Sequence, residues 1–108
     1  MELTEIRDLI NSVDPNARHY DASKEADASA DFTVWMETER IIEYADDEGD
    51  GMGWRVTIER YTHDEYDAVA DALEAMLLAD PRTACKPRRV TYYIGDHYIR
   101  HTFEVEAV

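Results

Sequence analysis

The segment "WRVTIERYTHDEYDAVADALEAML", residues 54–77, contains the change of hydrophobic period that decides the fold. From Trp54 to Tyr61 apolar and polar residues alternate with a period of two, which predicts a half-buried β-strand. Further along, apolar residues recur on one face at helical spacing, and acidic residues occupy the opposite face. The apolar residues are Tyr66, Val69, Ala70, Leu73 and Leu77. The chain therefore passes from sheet to helix within this one segment.

The boundaries of this helix are predicted from local sequence. "THDE" at 62–65 matches a capping box, in which Thr62 accepts from a backbone N–H and Glu65 reaches back. Asp80 and Pro81 end the pattern, because proline cannot continue a helix. A helix of about sixteen residues is expected, a typical length for a globular protein.

The rest of the chain supplies the remaining elements of one domain, residues 1–108. The predicted elements are a helix over 2–13, a possible short strand within 17–22, a strand from 32 that pairs with 54–61 as a long hairpin, and strands over 89–94 and 97–107 joined by a two-residue turn at Gly95 and Asp96. The order α-(β)-β-β-α-β-β predicts an α+β, two-layer fold with a mainly antiparallel sheet and the helices on one face.

The composition and charge of the chain argue against several classes of function. The formal net charge is −14, from 25 acidic and 11 basic residues, which argues against a general phosphate-binding surface. Cys85 is the one cysteine, so no internal disulfide forms and a reducing compartment is expected. The sequence shows neither a signal peptide nor a membrane span, and the interpretation is a soluble intracellular protein.

The acidic run "YADDEGDGMGW", residues 44–54, matches part of a calcium-binding loop. Asp46, Glu48, Asp50 and Gly51 occupy the first, third, fifth and sixth positions of an EF-hand. The twelfth position, which needs a bidentate Glu, is Thr57, and the flanking segments alternate as strands where helices are required. A solvated hairpin loop is therefore the preferred interpretation.

No other pattern predicts catalysis or a bound group. His97 and His101 share a strand face but lie about 13 Å apart, too far for one metal ion. The chain has neither a glycine-framed serine nor a phosphate-binding glycine loop. Cationic neighbours favour a lowered pKa at Cys85, but flanking charge alone is weak support for a nucleophile. We expect no enzyme activity, metal or cofactor.

The segment "RTACKPRR", residues 82–89, holds a cluster of positive charge on an acidic chain. Its basic residues are Arg82, Lys86, Arg88 and Arg89, four of the 11 in the sequence. One interpretation is a solvated loop with scattered ion pairs. The other is a contact with the acidic 46–50 loop of a neighbouring copy, a head-to-tail arrangement that closes into a ring.

Several stretches together resemble the small tail-completion, or tail-terminator, proteins of long-tailed phages and prophages. The similar stretches are "LTEIRDLINSV" (3–13), "FTVWMETERI" (32–41), "YADDEGDG" (44–51), "WRVTIERYTHDEYDAVADALEAMLL" (54–78) and "YYIGDHYIRHTFEVEAV" (92–108). The resemblance covers nearly the whole chain and is one of pattern, without a catalytic motif.

The resemblance implies a structural protein without enzyme activity. Proteins of this family form a ring, commonly a hexamer, that caps the tail tube and offers a docking surface to the head connector. The expected partners are further copies of the chain, a tail-tube protein and a head-connector protein, with DNA passing through without specific binding and no membrane. The expected location is the host cytoplasm during assembly and then the head-proximal end of the virion tail.

Contact residues follow from the charged segments. The candidates for protein interaction are Asp46, Asp47, Glu48 and Asp50 in the hairpin loop, Trp54 at its base, and Arg82, Lys86, Arg88 and Arg89 as a complementary patch. A different class of function stays open: a small acidic regulatory or inhibitor protein that binds a basic target. A small enzyme with a site assembled from scattered residues is the third alternative.

Overall fold

The computed structural model describes residues 1–20, 30–42 and 52–108. The helices are α1, Leu3–Val13, and α2, Ala68–Ala79. The strands are β1, Arg18–His19; β2, Phe32–Ile42; β3, Met52–Thr62; β4, Thr83–Cys85; β5, Arg89–Tyr93; and β6, Tyr98–Ala107. The architecture is α+β, as the sequence predicts.

The strands form one mainly antiparallel sheet. Its order is β1-β2-β3-β6-β4, and β5 pairs with β6 on the same side as β4. Only the two-residue β1 runs parallel to its neighbour, β2. The predicted hairpin of β2 and β3 is present, with Phe32 opposite Tyr61 at one end and Ile42 opposite Met52 at the other.

Both helices pack on the same face of the sheet, which we call the helix face. The core cluster consists of Ile6, Ile10, Trp35, Val56, Ile58, Leu73, Leu77, Phe103, Val105 and Ala107. Alternate residues of β3 and β6 enter this cluster because side chains alternate between the two faces of a strand. Burial of each large side chain stabilises the fold by about 1.5–3 kcal/mol. The opposite face, which we call the outer face, has no helix on it within the described ranges.

The predicted start of the second helix is wrong by five residues. Thr62 does not cap it, because Thr62 is the last residue of β3 and its hydroxyl donates to Asp31 Oδ2 at 3.0 Å. The cap is Asp67, whose side chain accepts from the Ala70 N–H at 2.9 Å. The helix has 12 residues rather than about sixteen.

Two further corrections concern the C-terminal third. The connection from β5 to β6 is a 3-10 turn, Ile94–Asp96, followed by His97 in the left-handed conformation with φ of 58°, and not a two-residue turn. The 82–89 segment is not only loop, since β4 lies within it and pairs with the end of β6. Local turn chemistry alone did not indicate either feature, because both depend on pairing with β6.

Candidate interaction surfaces

The acidic candidates for partner contact lie in the connection between β2 and β3. Asp46, Asp47, Glu48 and Asp50 fall outside the described residues, as does Gly51 of the calcium-loop pattern. Trp54, at the base of the hairpin, packs against the core cluster. The Arg40 guanidinium lies over its indole, 4.6 Å from the ring centroid. Trp54 therefore connects the hairpin to the body of the domain.

The four basic candidates do not form one patch. Arg82 follows α2, where its Nη2 lies 2.9 Å from Asp80 Oδ2. Arg88 turns toward α2 itself, with Nη1 3.0 Å from Asp71 Oδ1 and Nε 3.3 Å from Glu74 Oε2. These two side chains are thus engaged at different places along the helix.

Lys86 and Arg89 do come together, on the outer face. Both bind Glu104 of β6, Lys86 through Nζ at 3.3 Å and Arg89 through Nη2 at 2.9 Å. Their side chains are 76% and 69% exposed, so the ion pairs are surface pairs worth about 0–1 kcal/mol each. Loss of either pair with Glu104 would therefore cost the fold little.

A groove of about 560 Å³ crosses the outer face beside this pair. Its lining residues are Thr38, Arg55, Val56, Thr57, Ala84, Cys85, Lys86, Glu104, Val105 and Glu106. Arg55 bridges the groove wall, with Nη1 2.6 Å from Glu39 Oε2 and Nε 3.1 Å from Glu106 Oε1. These hydrogen bonds raise the pKa of Arg55. The charged residues of the lining are two cations, Arg55 and Lys86, and two carboxylates, Glu104 and Glu106, so the charges of the groove are balanced.

A row of aromatic side chains occupies the other half of the outer face. Phe32 stacks on Tyr61 with centroids 4.6 Å apart, and Tyr93 stacks on Tyr98 at 4.4 Å. The Tyr61 hydroxyl donates to Glu59 Oε2 at 2.6 Å. Burial and this bond raise the pKa of Tyr61 to about 12. The rings of each pair stack on one another, so the row stabilises the sheet.

Cys85 lacks the environment of a nucleophile. Burial and the nearby Glu74 raise the pKa of its thiol, where the basic neighbours in sequence had favoured a lower one. Its Sγ donates to the Lys86 carbonyl at 3.2 Å. A thiolate is therefore disfavoured, which agrees with a packing role for this residue.

A buried ion-pair cluster joins the ends of both helices to the sheet. Arg60 of β3 is at its centre, with Nε 3.0 Å from Asp67 Oδ2 and weaker pairs to Asp14 at 3.6 Å and Asp31 at 3.9 Å. Asp67 caps α2 and Asp14 caps the end of α1, so one guanidinium fixes two helix ends. The sequence indicated that Arg60 faces the core, because Arg60 follows Val56 and Ile58 in the alternation of otherwise apolar residues.

His101 of β6 is a polar residue whose burial in the folded chain the sequence analysis did not predict. It is 8% exposed, and neither ring nitrogen has a hydrogen-bond partner among the described residues. Burial and the nearby Arg88 lower the pKa of His101, with a smaller contribution from Arg60, while Asp67 and Asp71 act in the opposite direction. The neutral imidazole is the form that the fold stabilises.

The stability of the protein is expected to fall as the pH is lowered through about 6.5, the ordinary pKa of histidine. Because the pKa of His101 is lower in the folded chain, the unfolded chain takes up the proton at a higher pH. This uptake stabilises the unfolded state relative to the folded state. The loss is complete once the pH passes below the folded pKa. Urea unfolding at pH 8, 6 and 5 measures it, and His101→Leu should remove this part of the pH dependence. An unchanged dependence in the variant would assign the effect to other groups.

The described part of the chain holds neither a cluster of metal ligands nor a membrane-spanning helix. No three His, Cys, Asp or Glu side chains converge there as ligands for an ion. Neither α1 nor α2 has the length and apolar character that a bilayer crossing demands.

Comparison of the sequence with models of known protein families gave no match, and comparison with curated proteins also gave none.

Proposed function

We propose that the chain is a structural assembly protein of a phage tail, whose copies form a ring that caps the tail tube and joins it to the head connector. The observation that carries the proposal is the position of the β2–β3 hairpin at the edge of the sheet. β1 covers β2 only at Val34 and Trp35. From Met36 to Ile42 the outer edge of β2 has no strand beside it in the described ranges. Such an edge presents main-chain groups that pair with a neighbouring subunit.

The charge of the chain supports a place along a DNA passage. With a net charge of −14, the surface repels phosphates, so a duplex slides past such a ring without binding to it. This argument concerns the sign and size of the charge and not a specific residue. It agrees with what the resemblance to tail-completion proteins implies.

The proposed ring contact joins the acidic hairpin loop of one copy to Lys86 and Arg89 of the next. Both cations are exposed, and each forms a weak ion pair with Glu104, so they are available to a second carboxylate. A surface that binds a different surface of an identical copy is heterologous, and such contacts close into a ring when the rotation permits. Screening by salt should weaken the contact.

Mixing the protein with the tail-tube protein of the same genome tests this function. We expect electron micrographs to show short tubes with a ring at one end, because the cap stops tube growth. Replacing both cations, Lys86→Glu with Arg89→Glu, should abolish the rings and lengthen the tubes. Arg7→Glu is the matched control, since Arg7 is an exposed cation of α1 paired only with Asp8 in the described structure.

Two results would contradict the proposal. Tubes of unchanged length without rings would exclude capping by the wild-type protein. Rings that form equally well with both cations reversed would exclude the proposed contact while leaving the capping function in place.

A specific observation favours a second function, an acidic regulatory protein that binds a basic target. All four basic candidates already have carboxylate partners within the chain, so the surplus surface charge is negative. In the tube experiment such a protein leaves tube length unchanged. It would instead bind a basic protein with an affinity that falls as salt is added.

A further inference from the structure

The strand β5 forms a sheet edge with its outer side uncovered. On one side it pairs with β6, from Arg89 opposite Thr102 to Tyr93 opposite Tyr98. On its other side no strand lies within the described ranges. β4 precedes it along the same side of β6, and the registers of the two strands differ by one residue, which marks a bulge between Cys85 and Arg89. β5 is therefore a short edge strand that begins after a bulge.

Apolar side chains are exposed along this edge and in the turn that follows it. Val90 is 39% exposed, Tyr92 66% and Ile94 83%. In the register with β6, Val90 lies opposite His101 and Tyr92 lies opposite Ile99. Val90 and Tyr92 are therefore on the helix face, beyond the area that the helices cover. Natural edge strands are usually protected by charge, proline or a covering element, and an exposed apolar edge is a site for pairing.

We propose that a second copy of the chain pairs with this edge, β5 to β5, antiparallel and about a two-fold axis at Thr91. In this register Val90 of one copy faces Tyr92 of the other, and Arg89 faces Tyr93. Aromatic and β-branched side chains are favourable cross-strand pairs. Because the same surface serves both copies, the contact is self-complementary, as a two-fold interface requires.

Electrostatics does not oppose a second copy at this edge. Two molecules of net charge −14 repel, but residues 81–95, "PRTACKPRRVTYYIG", contain no Asp or Glu. The cations of this stretch do not oppose pairing, since Arg88 and Arg89 are bound to Asp71 and Glu104 of their own chain. In the proposed register no like charges face each other across β5, which removes the usual obstacle to self-association.

This pair does not rest on the proposed function. It forms from the protein alone, without any tail component, and Arg89 is the one residue that it has in common with the proposed ring contact. Failure of the pair therefore leaves tube capping untouched, and failure of tube capping leaves the pair untouched. An acidic strand from a different protein is the competing occupant, and that alternative gives a monomer when the protein is alone.

Sedimentation velocity over a range of concentrations tests the pair. We expect a dimer of the wild-type protein, and we expect Tyr92→Lys to raise its dissociation constant by about tenfold or more, because two aromatic contacts are lost and two charges enter. Tyr66→Lys is the matched control, since Tyr66 is 81% exposed and lies before α2. That variant should dimerise like the wild type. A wild-type monomer at all concentrations, or an unaffected Tyr92→Lys dimer, overturns the proposal.

Cross-linking locates the contact independently. In a Cys85→Ser background, Thr91→Cys places one thiol from each copy beside the two-fold axis, so oxidation should give a covalent dimer. Ser12→Cys, at an exposed position on α1, is the matched control and should stay monomeric under the same conditions. A covalent dimer from Ser12→Cys alone, or from neither variant, contradicts pairing through β5.

Discussion

Replacing Arg60 with methionine is expected to lower the free energy of unfolding by about 3–5 kcal/mol. The Arg60 side chain is 8% exposed, and its partners Asp67 and Asp14 are 7% and 12% exposed. Methionine fills much of the space but leaves these carboxylates buried without a cation, and an uncompensated buried charge is costly. Urea unfolding at neutral pH measures the change.

Arg55→Met is the matched control for this variant. Arg55 also binds two carboxylates, but its side chain is 50% exposed and water screens the interaction. A small change in stability is therefore expected from the same chemical substitution. If Arg60→Met were no more destabilising than Arg55→Met, the buried cluster would contribute nothing that a surface ion pair does not.

Replacing Gly53 with alanine is expected to destabilise the fold by about 1–3 kcal/mol, the usual cost of forcing atoms into a packed site. A Cβ at this position would collide with the Ala107 carbonyl oxygen and approach Val108 Cα to 2.9 Å. Both obstacles belong to the backbone, which cannot rotate away as a side chain can. The C-terminal residues must then shift, and the bond from the Val108 N–H to the Arg82 carbonyl at 2.9 Å should weaken.

Gly95→Ala provides the comparison, because nothing lies within 4 Å of a Cβ built at Gly95. Thermal unfolding should separate the two variants clearly, and faster amide exchange at Val108 should accompany only Gly53→Ala. Equal stability of both variants would mean that the end of β6 moves aside without cost.

Periodicity alone was enough to predict the α+β class and the main elements. The alternation around Val56 and Ile58 predicted β3, and the helical spacing of Leu73 and Leu77 predicted α2. The start of α2 was wrong because two caps compete: the residues "THDE" match a local capping motif, but Arg60 holds Asp67 where it caps the helix. Local sequence cannot decide between them, since Arg60 is fixed by the sheet.

The candidate contact residues show the same division. The sequence identified the cations of the 82–89 segment, but it presented them as one cluster. In the folded chain Lys86 and Arg89 meet at Glu104 on the outer face, while Arg88 turns to α2. The bulge between β4 and β5 separates them, and a bulge depends on the register with β6 rather than on the residues within the segment.

The sequence by itself determined the periods of the chain, its strongly acidic charge and the location of its few basic residues, because these follow from the order and type of residues alone. Only the tertiary structure decided which carboxylate each cation binds, that Arg60 and His101 are buried, and that β5 is left as an apolar edge. These features depend on contacts between segments far apart in the chain, and local propensity carries no information about such contacts.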